Sequence, residues 1–175
     1  MVAIIDFNDS FTYNIACELS SIGREAQIIN YQHSDFNFFH LKKFSHIIWG
    51  PGPGHPNDYL EAQEILKMLF LEPIEHLGIC LGHQMIWTTL GYEIKKLKMP
   101  FHGISKKIYL DDFWSALLNT DFIRAQFYNS LHLSFDLKMS DANVLVTNFN
   151  GDNSVVASFG NNFVTYQFHP ESIGT

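Results

Sequence analysis

Cysteine is scarce in this sequence. Cys17 and Cys80 are the only two in 175 residues, too few for a disulfide framework, and neither belongs to a C-x-x-C pair. Basic side chains are also few, with 11 Lys and Arg against 18 Asp and Glu and a formal net charge of −7. A domain of that sign lacks the footprint of a nucleic-acid binder. Charged residues reach only 17%, below the roughly 25% usual in soluble domains. With 46% hydrophobic residues, that excludes a disordered chain. No apolar run approaches the ~18 residues that cross a bilayer, so no membrane partner is expected. Met1–Asp6 lacks a basic leader and cleavage pattern, and a reducing cytoplasm with free thiols is the expected setting. There are nine histidines, but no two share an i,i+4 helical face near a carboxylate. No metal is expected, and no other cofactor.

Repeats and linkers are absent too, so residues 1–175 read as one α/β domain. Val2–Phe7 is a short apolar run, the mark of a buried parallel strand. Asn8, Asp9 and Ser10 offer capping oxygens. Phe11, Ile15, Leu19 and Ile22 then fall on one helix face that Gly23 closes. Cys17, inside that helix, reads as a core residue. Ala26–Tyr31, Ser45–Gly50 and His76–Ile79 are further strands. Between the last two, Asn57 or Asp58 should cap a helix presenting Tyr59, Ala62, Leu66 and Leu69. Such alternation predicts a flavodoxin-like parallel sheet with helices on both faces. In the C-terminal half, Ser105–Leu110, Asn143–Phe149, Ser154–Phe159 and Phe163–Phe168 are strand-like. Asn150-Gly151 and Gly160-Asn161-Asn162 mark hairpin turns between the last three, predicting an antiparallel extension. Residues 111–131 show no clear pattern.

Three short strings carry chemistry. Gly78-Ile79-Cys80-Leu81-Gly82 has the layout of a nucleophile elbow with Cys in place of Ser. A sharp strained turn needs small neighbours, and the following helix aims its N-terminal dipole at the sulfur, favouring thiolate. His169-Pro170-Glu171 places a carboxylate two residues beyond an imidazole, the spacing for a base and the group that orients it. Pro51-Gly52-Pro53-Gly54, after the third strand, is rigid, and its glycine N–H groups can meet a substrate oxygen. The bland alternatives are a buried Cys, a surface His–Glu pair and a plain turn.

In register, these strings resemble the class I glutamine amidotransferases, and within them the small subunits of anthranilate synthase and aminodeoxychorismate synthase. The likeness spans nearly the whole chain. It includes Ile5-Asp6-Phe7-Asn8-Asp9-Ser10-Phe11-Thr12-Tyr13-Asn14, the three strings above extended through His83-Gln84, then His102-Gly103 and Gln167-Phe168-His169-Pro170-Glu171-Ser172. The resemblance implies Cys80 as nucleophile, His169 as acid/base and Glu171 as its orienting group. It implies an oxyanion hole from the N–H groups of Gly52 and Leu81. It also implies a substrate pocket formed with Pro53, Gly54, the Gln84 side chain and the backbone of Ser130 and Leu131. The substrate would be L-glutamine, and the partner a chorismate-binding synthase subunit docking near Asp9, Ser10 and Pro56.

Three departures stand out. Asn129 replaces the family's usual His before Ser130-Leu131. Trp49-Gly50 replaces a small polar lead-in to Pro51 and is expected to reshape a pocket wall. The sequence ends at Thr175, where the resemblance expects a closing helix. Asn129 and the missing helix leave a non-catalytic regulatory module of the same complex as the alternative, and a γ-glutamyl peptidase as a third reading. His83 is expected to pack, and His55 to sit in the loop mouth.

Overall fold

A computed structural model describes residues 1–135, 139 and 142–175. The first half alternates strand and helix: β1 (Val2–Asp6), α1 (Thr12–Ser21), β2 (Ala26–Asn30), α2 (Phe38–Leu41), β3 (His46–Trp49), α3 (Leu60–Leu69), β4 (Glu75–Ile79) and α4 (Leu81–Thr89). The second half is richer in strands: β5 (Ile94–Lys96), β6 (Ile104–Tyr109), α5 (Asp112–Leu118), β7 (Phe122–Phe127), β8 (Leu131–Ser134), β9 (Ala142–Phe149), β10 (Asp152–Gly160) and β11 (Phe163–Tyr166).

The main sheet runs β2-β1-β3-β4-β11-β10-β8-β5, with β9 along the other edge of β10. The segment from β2 to β11 is parallel, with the strand order of flavodoxin-like folds. Strands β10, β8 and β5 extend it antiparallel, and β6–β7 form a separate ribbon. On one face α1 lays Ile15 and Leu19 over Ile4, Ile48 and Ile79. On the other, Leu66 and Leu69 of α3 and Met85 and Ile86 of α4 cover Ala3, Ile5, Ile47 and Trp49. A second cluster, led by Phe101, Trp114, Phe127, Phe149 and Phe168, fills the space between the ribbon and β9–β10. Parallel strands buried on both faces explain the unbroken apolar runs of the first half.

Several expectations need correction. Of the helix face expected from Phe11 to Ile22, Ile15 and Leu19 pack on the sheet, whereas Ile22 lies past the end of α1 and is exposed, and Phe11 holds the cap position without a side-chain cap. The polar loop braces itself instead: Asp6 Oδ1 accepts from Thr12 Oγ1 at 2.8 Å and Asp9 Oδ1 from the Phe11 N–H at 2.9 Å. Cys17 is exposed, because two residues from Ile15 lies about 200° round the helix. Asn57 and Asp58 do not cap α3. They lie in a 3-10 turn begun by Pro56, and Asp58 turns back to the His55 N–H at 2.7 Å. Pro56 is buried, so it is no part of an open docking surface, whereas Ser10 is exposed. Within 111–131 lie α5 and β7. The helix is capped by Asp111, whose carboxylate accepts from the Trp114 N–H, and ends at Asn119 in the left-handed region at φ 52°. The hairpin at Asn150-Gly151 has positive φ at both residues, 53° and 92°, the type I′ geometry that matches strand twist.

Candidate active site

β4 and β11 are parallel neighbours in the middle of the sheet, with Ile79 opposite Tyr166. The chain leaving β4 turns sharply at Cys80, whose φ of 53° and ψ of −99° are strained for a residue with a Cβ. The Cys80 N–H donates to the Tyr166 carbonyl at 2.8 Å, pinning the turn to β11. Glycine is required beside it. A Cβ on Gly78 would lie 2.7 Å from the Gly82 oxygen, and one on Gly82 only 1.9 Å from the Trp49 oxygen. Helix α4 therefore starts hard against the end of β3, with the sulfur at its N-terminus.

His169 follows β11, its N–H held by the Gln126 carbonyl at 3.0 Å. The ring Nδ1 lies 2.7 Å from Glu171 Oε1, with both side chains buried. A carboxylate at Nδ1 makes that nitrogen the donor and leaves Nε2 for the other partner. Burial opposes a charged His169 ring, but hydrogen bonds to Cys80 and Glu171 and their negative charges outweigh it. Together they push its pKa from 6.5 up to about 10. Phe11 and Tyr128 flank the imidazole, at ring distances of 4.9 and 5.0 Å, and the Tyr128 hydroxyl pairs with Ser172 Oγ at 3.1 Å.

Cys80 opens onto a cavity of about 190 Å³ lined by Gly52, Pro53, Gly54, Leu81, Gln84, Tyr128, Asn129, Ser130 and Leu131. No Asp, Glu, Lys, Arg or His side chain lines it. Gly52 packs so closely that a Cβ there would sit 2.6 Å from Leu81 Cδ2 and Phe7 Cβ. Among the described residues, the N–H groups of Gly52 and Leu81 have no protein acceptor, so both are free to donate into the cavity. Gly54 has φ 80°, and the Pro53 carbonyl accepts from Tyr59 at 2.9 Å. The far wall is held differently. The Leu131 carbonyl accepts from Asn129 Nδ2 at 2.8 Å and from Gln84 Nε2 at 3.3 Å. The Ser130 and Asn129 carbonyls anchor Leu97 and Phe101 at 3.0 and 2.9 Å.

The structure thus gathers all ten sequence-selected residues at one place. Trp49, however, does not line the cavity. Its indole is fully buried on the α3–α4 side and donates to His76 Nδ1 at 3.1 Å. His83 is also away from the cavity, buried against Thr165 Oγ1 at 2.7 Å. Burial pushes its pKa down to about 3, against a smaller upward pull from the Val155 carbonyl, so the ring is neutral. His55 caps its own turn by accepting from the Asn57 N–H. A Cβ on Gly103, of the His102-Gly103 element, would lie 3.4 Å from the Tyr128 ring. Two larger grooves, of about 590 and 380 Å³, flank α1 toward the opposite strand ends and include none of these ten residues, whereas a third of about 250 Å³, between α1 and the sheet, reaches Glu171. Sequence reasoning gave no role to Phe11, Tyr128 or Gln167. The first and last stand inside the quoted strings, but nothing in the spacing says they touch the reacting groups. Among the described residues no helix is long and apolar enough to cross a membrane.

Residues 3–175 match the family described as glutamine amidotransferase class-I. The chain is 35% identical to anthranilate synthase component 2 of Cyanidium caldarium, an alignment covering 100% of this chain and 92% of that one. It is 32% identical to the protein of the same name from Saccharolobus solfataricus, again over 100% and 92%. Among solved structures, it is similar in fold to a glutamine amidotransferase of Thermotoga maritima, with TM-score 0.73 and 18% identity over 97% of this chain and 75% of that one. One from Methylobacillus flagellatus gives TM-score 0.79 and 18% identity over 98% and 70%.

Proposed function

Because this chain belongs to the class I glutamine amidotransferase family, we propose that it hydrolyses the side-chain amide of L-glutamine through Cys80, His169 and Glu171. The ammonia passes to a chorismate-binding synthase subunit. One observation carries this reading: an imidazole braced by a carboxylate at 2.7 Å stands beside a cysteine that opens onto a small cavity.

The Cys80 sulfur attacks the amide carbonyl carbon. The oxygen takes up the displaced electron pair and meets the N–H groups of Gly52 and Leu81, aligned in advance so that little reorganisation is needed. His169, charged at neutral pH, gives its proton to the departing nitrogen, which leaves as ammonia, and a γ-glutamyl thioester remains. The neutral ring then takes a proton from water as the water attacks the thioester. The C–S bond breaks, the electron pair returns to sulfur, and glutamate leaves. Glu171 holds the ring with Nδ1 as donor throughout, keeping Nε2 toward the chemistry. Phe11 and Tyr128 pack against that ring and restrict it.

At about 190 Å³ the cavity is smaller than the ~300–1,000 Å³ sites that take drug-sized ligands. That supports a free amino acid over a γ-glutamyl peptide. Asn129 spends its amide on the Leu131 carbonyl and leaves the three reacting groups assembled, which supports an enzyme over a non-catalytic module. Ammonia freed into neutral water becomes ammonium, which is not a nucleophile, so a partner must cover the mouth. The exposed Ser10 and the neighbouring Asp9, which lead into Phe11 against the His169 ring, are the surface proposed to meet it. The names of the curated relatives support the anthranilate reaction over the aminodeoxychorismate one. The test is reconstitution: the chain with a chorismate-binding subunit should make an aromatic amine from glutamine, and Cys80→Ser should not. Amination from ammonium salts alone, with glutamine untouched, would reject the proposal.

A further inference from the structure

Gln167 is completely buried and has one end of its side-chain amide at the nucleophile. Its Nε2 lies 3.8 Å from Cys80 Sγ, and its Oε1 accepts from Gln84 Nε2 at 3.0 Å. The orientation follows from the surroundings. The Leu131 carbonyl can only accept, so the Gln84 atom 3.3 Å from it must be nitrogen. That same nitrogen faces Gln167, which must therefore present its oxygen there and its N–H groups to the sulfur. A chain of polar contacts thus runs from the cavity wall through Gln84 and Gln167 to the reacting atom.

We propose that Gln167 is a further catalytic residue of this site, a hydrogen-bond donor to the Cys80 sulfur whose aim is set by Gln84 and the Leu131 carbonyl. The inference rests on the reading of Cys80 as nucleophile and extends it. A donor at sulfur favours the anion over the thiol and over the thioester, whose sulfur is a poor acceptor. The bond is stronger to sulfur that bears the electron pair than to a thioester, so it weakens as the S–C bond forms and is regained when water cleaves the thioester and the pair returns to sulfur. Gln167 therefore assists release of glutamate, in the half-reaction where the oxyanion donors and His169 meet a neutral thioester. Because the amide is tied to Gln84, a glutamine that presses on the Leu131 wall also bears on the sulfur donor.

The test uses Cys17→Ser protein, in which Cys80 is the only thiol, and reads iodoacetamide alkylation as well as glutamine turnover. Gln167→Met keeps the length and unbranched shape of the side chain and removes the donor. It should slow alkylation at pH 6 about tenfold while leaving the rate at pH 9 within about twofold, the pattern of a thiolate that has lost one stabilising bond. Glutamine turnover should fall about tenfold in kcat with a smaller change in KM. Gln84→Met, which frees the amide to rotate, should shift the pH 6 to pH 9 ratio the same way by a smaller factor. It carries the test if Gln167→Met does not fold. A ratio unchanged in the folded variants overturns the role of Gln167 and leaves the enzyme reading standing. A parent protein that neither alkylates at Cys80 nor turns over glutamine overturns both.

Discussion

The two sides of the cavity are built on different physical grounds. The nucleophile side is steric: Gly78, Gly82 and Gly52 sit where a single methyl group would meet backbone or packed side chain at 2.7, 1.9 and 2.6 Å. The opposite wall, from Tyr128 to Leu131, is held by hydrogen bonds of 2.8–3.3 Å to Asn129, Gln84, Leu97 and Phe101. Repulsion rises steeply and hydrogen bonds stretch cheaply, so the sulfur and the N–H groups of Gly52 and Leu81 are fixed while the wall can adjust. An acyl-transfer site needs the first at the reacting carbon and tolerates the second at the substrate's amino-acid end.

If that contrast is right, Gly82→Ala has the largest effect. The added carbon meets the Trp49 carbonyl, costing about 3 kcal/mol or more and lowering Tm by roughly 10 °C. Calorimetry and a glutamine assay should both register the loss; a stable, active variant would break the steric account.

Acid should come next, and should act on the rigid side. His76 on β4 and His83 on α4 are buried, which lowers their pKa values from 6.5 to about 4 and about 3, against weaker upward pulls from backbone carbonyls. The unfolded rings bind protons below about pH 6.5, while the folded ones resist until several units lower. Their contribution is thus complete above pH 6.5 and drains away as pH falls toward 4, by up to about 1.4 kcal/mol per pH unit for each ring. Urea titrations at pH 7 and pH 5 should show the midpoint falling, and a flat profile would refute the assignment.

Asn129→Ala tests the adaptable wall. It removes one of two donors on the Leu131 carbonyl, worth about 1 kcal/mol, so KM for glutamine should rise about fivefold with kcat within threefold. A collapse of kcat instead would mean that the wall is as rigid as the elbow. Cys17→Ser, on the solvent side of α1, should change stability by less than about 0.5 kcal/mol in the same urea titration.

The same divide governs what could be read from the chain. Parallel strands buried on both faces, such as Val2–Asp6, announce themselves as apolar runs, and a glycine-flanked cysteine after one of them marks a steric turn. Asn150-Gly151 likewise fixed its hairpin locally. The elements that escaped notice are short or two-sided. α2 has four residues and β5 three. α5 carries its signals, Asp111 and Asn119, around a single short helix. β7 alternates Ile123, Ala125 and Phe127 inward with Arg124 and Gln126 outward, but Phe122, outward under Lys107 with the ammonium 3.8 Å from its ring centroid, adds an apolar residue to the polar face and blurs the pattern. At the site, the positions of Cys80, Gly52 and Glu171 follow from local chain geometry. The contacts of Gln167, Tyr128 and Phe11 depend on which distant segments the sheet brings together, and no local spacing encodes that. Trp49 misled for the same reason: a side chain at a strand end can face either layer, and here it chose the core.

One consequence of the strand order concerns timing. His169 and Glu171 follow β11, and β11 lies between β4 and β10 at the heart of the sheet. A ribosome therefore delivers Cys80 long before His169 and Glu171, and the gap that β11 must enter stays open until residues 163–166 have been made. On the proposed chemistry, the growing polypeptide would through that interval hold a sulfur without its imidazole and consume no glutamine, until the strand that completes the site has been threaded into place.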